Sequence, residues 1–218
     1  MELQGKKAVF LGDSITAGSG IEDKENNIYW QAFGRLSGAV CRGFGIGGHR
    51  IAKQHAPETA QGRVPYADRV DEMDADADIV VVFGGTNDFG HGDAPLGSFA
   101  DRTTDTFYGA LHVLCTKLIE RYPAAQIVFM TPLHRTSEDD GPFNEYGVRL
   151  STNLEGYVNI ITEVCAYYAI PVLDLYRLSG IQPRVPVLRE RYMPDGLHPN
   201  DAGAALIAQK LYGFLKTL

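Results

Sequence analysis

Nothing in the 218-residue chain approaches the run of about 20 consecutive apolar residues that a membrane-spanning helix requires. Positive charge is also scarce: 20 Lys and Arg stand against 27 Asp and Glu, a formal net charge of −7. Sequence-independent nucleic-acid binding needs clustered Lys and Arg to displace counterions, and docking on anionic lipid needs a basic patch, so neither partner is expected. The three cysteines, Cys41, Cys115 and Cys165, form no CxxC pair and suit neither a disulfide framework nor a zinc ribbon. They read as reduced packing residues. There is no internal repeat, no low-complexity tract and no composition shift that would mark a linker. The apolar run after Lys6 and Lys7 is too short for a signal segment, so a cytoplasmic location is expected, although a chain with its leader trimmed away would read the same.

What is present is ordinary globular composition, with 44% hydrophobic and 22% charged residues. The length suits one α/β domain over residues 1–218, because cores of this class stay single up to roughly 250 residues. Short apolar runs lie at 7–11, 39–44, 78–83, 126–131 and 170–175, and three of them are almost continuously apolar and rich in Val and Ile. That pattern predicts strands buried on both faces of a parallel sheet. Between them, helices are predicted near 29–37, 60–72, 101–121, 152–168 and 201–216. Such βαβ alternation implies a three-layer α/β/α domain with right-handed crossovers, and five strands favour the flavodoxin-like order 2-1-3-4-5. Ligands then bind at the carboxyl ends of the strands.

The polar, Gly-rich turns fall at those ends. Gly12-Asp13-Ser14 follows the first strand, a glycine-rich turn from Gly43 to Gly48 ends the second, and Gly85-Thr86-Asn87-Asp88 follows the third. Asp195-Gly196-Leu197-His198-Pro199-Asn200 lies between the fifth strand and the last helix. Acyl transfer needs a nucleophile, a base, an orienter for that base and donors for the oxyanion. Ser14 on an exposed turn, His198 as base and Asp195 three residues before it meet the first three needs. The Ser14 N–H, the Gly48 N–H and the Asn87 amide meet the fourth. Each piece alone has a bland reading: a turn or N-cap for Ser14, an Asx-turn loop for Asn87, a helix start for Asn200. Their shared position at the strand ends favours chemistry.

With these motifs the sequence resembles the SGNH hydrolases, also called GDSL esterases and lipases, from Lys7 to the last helix. Ile15 stands where that family usually has Leu, and Gly43 stands where its second block usually begins with Asn. The resemblance implies Ser14 as nucleophile, His198 as base, Asp195 as its partner, an oxyanion hole from Ser14, Gly48 and Asn87, and no metal or organic cofactor.

Rival readings fit less well. Residues 43–48 formally read GxGxxG, but the signature follows the second strand and the stretch 49–65 makes a poor glycine-to-helix junction. No histidine pair has HxH or HxxxH spacing, so no metal is expected. A non-catalytic carbohydrate- or lipid-binding module would be expected to lack Ser14, Asp195 or His198, and all three are present. Three long connections, at 88–100, 132–151 and 177–194, are expected to rim the site. Asp13, His49, Phe89, His91 and Tyr192 are candidates for substrate contact, with Phe143 and Tyr146 as further rim aromatics. The rim lacks a long apolar run, which favours a short acyl ester, such as an acetyl group on carbohydrate or another small metabolite, over a lipid. Thioester or lysophospholipid hydrolysis is the alternative within the same chemistry. The oligomeric state is not encoded, and a homo-oligomer stays open.

Overall fold

The computed structural model describes residues 1–55, 64–139 and 141–218. The sheet has five parallel strands: β1 (Lys7–Gly12), β2 (Val40–Gly45), β3 (Ile79–Phe83), β4 (Gln126–Met130) and β5 (Val172–Leu173), in the order β2-β1-β3-β4-β5. The expected order is therefore the observed one. Around it lie α1 (Tyr29–Ser37), α2 (Tyr66–Arg69), α3 (Thr86–His91), α4 (Phe107–Arg121), α5 (Leu154–Tyr167), α6 (Leu175–Leu178), α7 (Pro186–Tyr192) and α8 (Asp201–Leu215).

Alternate residues of each strand face opposite layers. Val9, Leu11, Val80 and Val82 enter a core shared with α4 and α5, while Ala8, Phe10, Ile79, Val81 and Phe83 enter one shared with α1 and α8. All five residues of β3 are buried, which is why its sequence shows no polar alternation. In the second core Phe10 meets Tyr29 and Phe33 edge-on, with ring centroids 5.8 Å apart in each pair. Cys115 and Cys165 are buried and Cys41 is half-buried; all three are free thiols, and burial pushes Cys41 up to about 12.

The strands end in register. Gly12 pairs with Gly45 and Phe83, Phe83 with Met130, and Met130 with Leu173. The residues that follow each strand therefore emerge along one edge.

Several predicted boundaries shift, each for a local reason. α4 begins at Phe107, not 101, because Thr106 caps it by accepting from the Gly109 N–H while Asp101 gathers Ser98 and Thr106 into a turn. β5 shrinks to two residues between Pro171, which has no N–H, and Asp174, which caps α6. The helix expected from residue 60 begins outside the described residues; its described part is α2 and a following 3-10 turn at Val70–Glu72. Two expected loops are partly helical: 88–100 opens inside α3, and 177–194 holds the end of α6 and all of α7.

Candidate active site

Ser14 lies two residues beyond β1 on a tight turn, in which the Ala17 N–H donates to the Asp13 carbonyl at 2.9 Å and the Ser19 N–H to the Ser14 carbonyl at 2.8 Å. The turn does not continue into a helix, since α1 starts only at Tyr29. Asp13 locks it from below by accepting from the Ile15 N–H at 3.0 Å. The Ser14 Oγ is 3.0 Å from His198 Nε2, across 184 residues of sequence. On the far side of the ring, His198 Nδ1 is 2.7 Å from Asp195 Oδ2. An acceptor at Nδ1 fixes the proton there and leaves Nε2 as the acceptor facing the serine hydroxyl.

Asp195 is held in turn by its own loop. Its Oδ1 accepts from the Leu197 N–H at 2.8 Å and the His198 N–H at 2.7 Å. Burial raises its pKa, but these hydrogen bonds and the His198 ring outweigh that effect and hold the carboxyl below its ordinary value. The loop is braced by Thr136, whose N–H donates to the Gly196 carbonyl at 2.9 Å, and by Arg189, whose Nε donates to the Pro194 carbonyl at 3.1 Å. Asn200 then caps α8 by accepting from the Gly203 N–H at 3.0 Å. A groove walled by Thr136, Pro183, Pro186 and Pro194 runs beside this loop, with Arg184 and Arg189 at its sides.

Further N–H donors lie at the neighbouring strand ends. Asn87, on α3, is buried, and its amide donates to the His49 carbonyl at 3.0 Å, which fixes the plane of the amide. The second amide hydrogen is left for another acceptor. Among the described residues, neither the Ser14 N–H nor the Gly48 N–H has an acceptor. Gly48 has φ +76, a conformation open to glycine, and a Cβ there would meet nothing within 4 Å. The glycine is thus required by the backbone and faces open space. At Gly43, where a Cβ would lie 2.4 Å from Trp30 Nε1, the indole fills the volume an Asn side chain would need.

The candidate substrate contacts differ in exposure. Asp13, His49 and Phe89 are buried, at 2%, 7% and 4% exposed. Phe89 packs edge-on against Tyr157, with ring centroids 5.9 Å apart, because α3 turns it into the core. Tyr192 is half-buried against the second core, at the end of α7. The His91 ring is half-buried and meets Tyr146 edge-on, with ring centroids 5.6 Å apart. Burial, with Arg69 and Arg50 nearby, pulls His49 down to about 4; burial with Arg50 does the same to His91. Both rings are therefore weaker bases than an ordinary imidazole. Tyr146 and Phe143, in the connection after β4, are exposed.

Three buried arginines were not foreseen. Arg50 donates to the His91 carbonyl at 2.8 Å, Arg69 to the Gly12 carbonyl at 3.0 Å and to the Phe44 carbonyl, and Arg135 to the Thr86 carbonyl at 3.3 Å with Glu145 as its ion-pair partner. Each ties a strand end or α3 in place. Among the described residues no group of three His, Cys, Asp or Glu side chains is placed to hold a metal ion, and no helix is long and apolar enough to cross a membrane.

Comparison with known proteins agrees with this architecture. A search of curated proteins returns no match. A protein of known structure from Lactobacillus plantarum is 33% identical, with a TM-score of 0.84 over 99% of this chain and 98% of its own. A possible lipase from Chitinophaga pinensis is 22% identical at a TM-score of 0.71, covering 97% and 98% of the two chains. The acetyl xylan esterase AlAXEase is 21% identical at 0.60, covering 96% and 99%. Residues 10–206 match the model of the GDSL-like lipase/acylhydrolase family. The chain therefore belongs to that family, the SGNH hydrolases, whose members are ester hydrolases.

Proposed function

We propose that the protein hydrolyses short-chain acyl esters, acetyl esters foremost, through an acyl-enzyme on Ser14. The observation that carries the reading is the continuous relay from Ser14 Oγ through the His198 ring to Asp195, at 3.0 Å and 2.7 Å. His198 Nε2 takes the hydroxyl proton as Ser14 Oγ bonds to the ester carbonyl carbon. The carbonyl oxygen becomes an oxyanion, received by the Ser14 N–H, the Gly48 N–H and the free Asn87 amide hydrogen. Collapse of the intermediate breaks the bond to the alcohol, which leaves with the proton from His198. Water repeats the sequence on the acyl-enzyme, releasing the acid and restoring Ser14. Asp195 holds the ring and stabilises its cationic form, staying ionised throughout.

The short-acyl preference rests on the rim. Phe143 and Tyr146 are its exposed aromatics, and flat aromatic faces suit a sugar better than a flexible chain. The fold-level neighbour AlAXEase suggests acetylated xylan oligosaccharides as substrates to try. The test is a nitrophenyl ester series from acetate to long chains, with the parent and Ser14→Ala side by side. Activity that is highest on acetate and vanishes in the variant supports the reading. Activity that persists in Ser14→Ala overturns it. Turnover that rises with chain length would instead assign the groove beside Pro194 to an acyl chain.

A further inference from the structure

The segment that carries the Gly48 N–H has no regular secondary structure of its own, yet it is fastened at each residue from 49 to 52, at Arg50 through its side chain. Asp88 accepts from the Ile51 N–H at 3.0 Å on one oxygen and from the Ala52 N–H at 2.9 Å on the other. Its neighbour Asn87 holds the His49 carbonyl at 3.0 Å. The Arg50 side chain donates to the His91 carbonyl at 2.8 Å. Asp88 is 4% exposed and Arg50 is 2% exposed. All the fastening groups on the other side, Asn87, Asp88 and His91, belong to the six-residue α3.

Burying a carboxylate is costly, and a turn that only needed closing could use a neutral Asn or Ser. A carboxylate with two accepting oxygens can receive two successive backbone N–H groups at once, which an amide cannot, since one of its two ends donates. We propose that Asp88 is a positioning residue for ester hydrolysis: through Ile51 and Ala52, and with the Arg50–His91 tie, it sets where the Gly48 N–H points. The same short helix presents the Asn87 amide, so two of the three oxyanion donors are referenced to one rigid body. This rests on the acyl-enzyme reading of Ser14, and the third donor, the Ser14 N–H, belongs to β1's turn and is independent of it.

The test uses 4-nitrophenyl acetate and its thiono analogue, in which sulfur replaces the carbonyl oxygen. Sulfur is larger and a weaker acceptor, so an enzyme with well-aimed oxyanion donors prefers the oxygen ester. Loss of one donor lowers turnover about 10²- to 10³-fold, so Asp88→Asn, which misaims one, is expected to lower kcat on the oxygen ester by about 10- to 100-fold with KM little changed. The oxygen-to-sulfur preference should fall with it. A loss of folded protein alone would lower both substrates equally and leave that preference intact. Arg50→Met, which removes the tie to the His91 carbonyl, gives a second route: a smaller loss of the same kind is expected. Ser14→Ala is run in parallel. If it is inactive while Asp88→Asn and Arg50→Met keep the parent's kcat or the parent's oxygen-to-sulfur preference, the positioning role is overturned and the nucleophile stands. If Ser14→Ala keeps turnover, the acyl-enzyme reading fails, and the positioning role fails with it.

Discussion

Two carboxylates sit beneath the candidate site without solvent, and their chemistry runs opposite to that of Asp195. Burial pushes Asp13 up to about 7 and Asp88 up to about 6, and the Asp88 charge adds to the effect on Asp13. In the unfolded chain an Asp releases its proton near its ordinary value of 3.8, whereas folded Asp13 keeps it to about 7. Between those values the folded state binds more protons, so Asp13 makes stability fall as pH rises through that window. Asp13→Asn is therefore expected to flatten the slope of Tm against pH between about 4 and 7, the window set by these values. A slope identical to the parent's would show that Asp13 is ionised in the fold at ordinary acidity. For Asp195 the sign is reversed: its lowered pKa favours the ionised form needed to orient His198. Asp195→Asn places a donor or a weaker acceptor against Nδ1 and should cost between about 10² and 10⁴ in kcat, the upper figure being that of a buried triad aspartate. A variant within twofold of the parent in a nitrophenyl acetate assay would remove Asp195 from the relay.

α8 and α3 show how local chemistry sets elements that in turn set the site. Asn200 both caps α8 and donates to the Arg191 carbonyl at 3.1 Å, so one side chain joins the last helix to α7 across the Asp195 loop. Asn200→Ala is expected to cost about 1 kcal/mol of stability, as a lost N-cap usually does. It should also loosen His198, two residues away; a chemical denaturation midpoint equal to the parent's would refute the capping role. The strands and long helices were legible because their apolar residues recur with period 2 or 3.6, or fill a short run such as residues 79–83. So were the strand-end turns, because Gly, Asp, Ser and Asn cluster there. α3 was not legible: six residues give no period, Asn87, Asp88 and Gly90 read as a loop, and Phe89 is its one large apolar residue. Reading it as a loop sent Phe89 to the rim, whereas the helix turns Phe89 into the core. The buried roles of Arg50, Arg69 and Arg135 had no sequence signal either, since a guanidinium donating to backbone carbonyls looks the same in one dimension as one in water.

The two cores lie on opposite faces of one sheet, so damage to either is felt through the strands they share. Leu114, from α4, and Leu211, from α8, are both fully enclosed, one in each core. Leu114→Ala and Leu211→Ala should each cost about 2–5 kcal/mol, the usual range for a buried Leu reduced to Ala. Both should unfold in one transition monitored by Trp30 fluorescence and by helical signal together. Two separate transitions would show that the layers are energetically independent. Surface ion pairs such as Lys117–Asp71 matter less on this scale, because exposed pairs contribute about 0–1 kcal/mol.

The span between Ser14 and His198 has a consequence for how the protein comes into being. Ser14 leaves the ribosome 184 residues ahead of His198, and they meet only when the turn after β1 lies against the start of α8. That junction is closed by Asp201, which accepts from the Glu22 N–H at 2.9 Å and from the Asn27 side chain at 2.8 Å. A nascent chain halted before residue 198 holds the serine but not the histidine that faces it. Esterase activity then doubles as a clock for synthesis: its first appearance marks the moment the turn after β1 and the start of α8 have found each other.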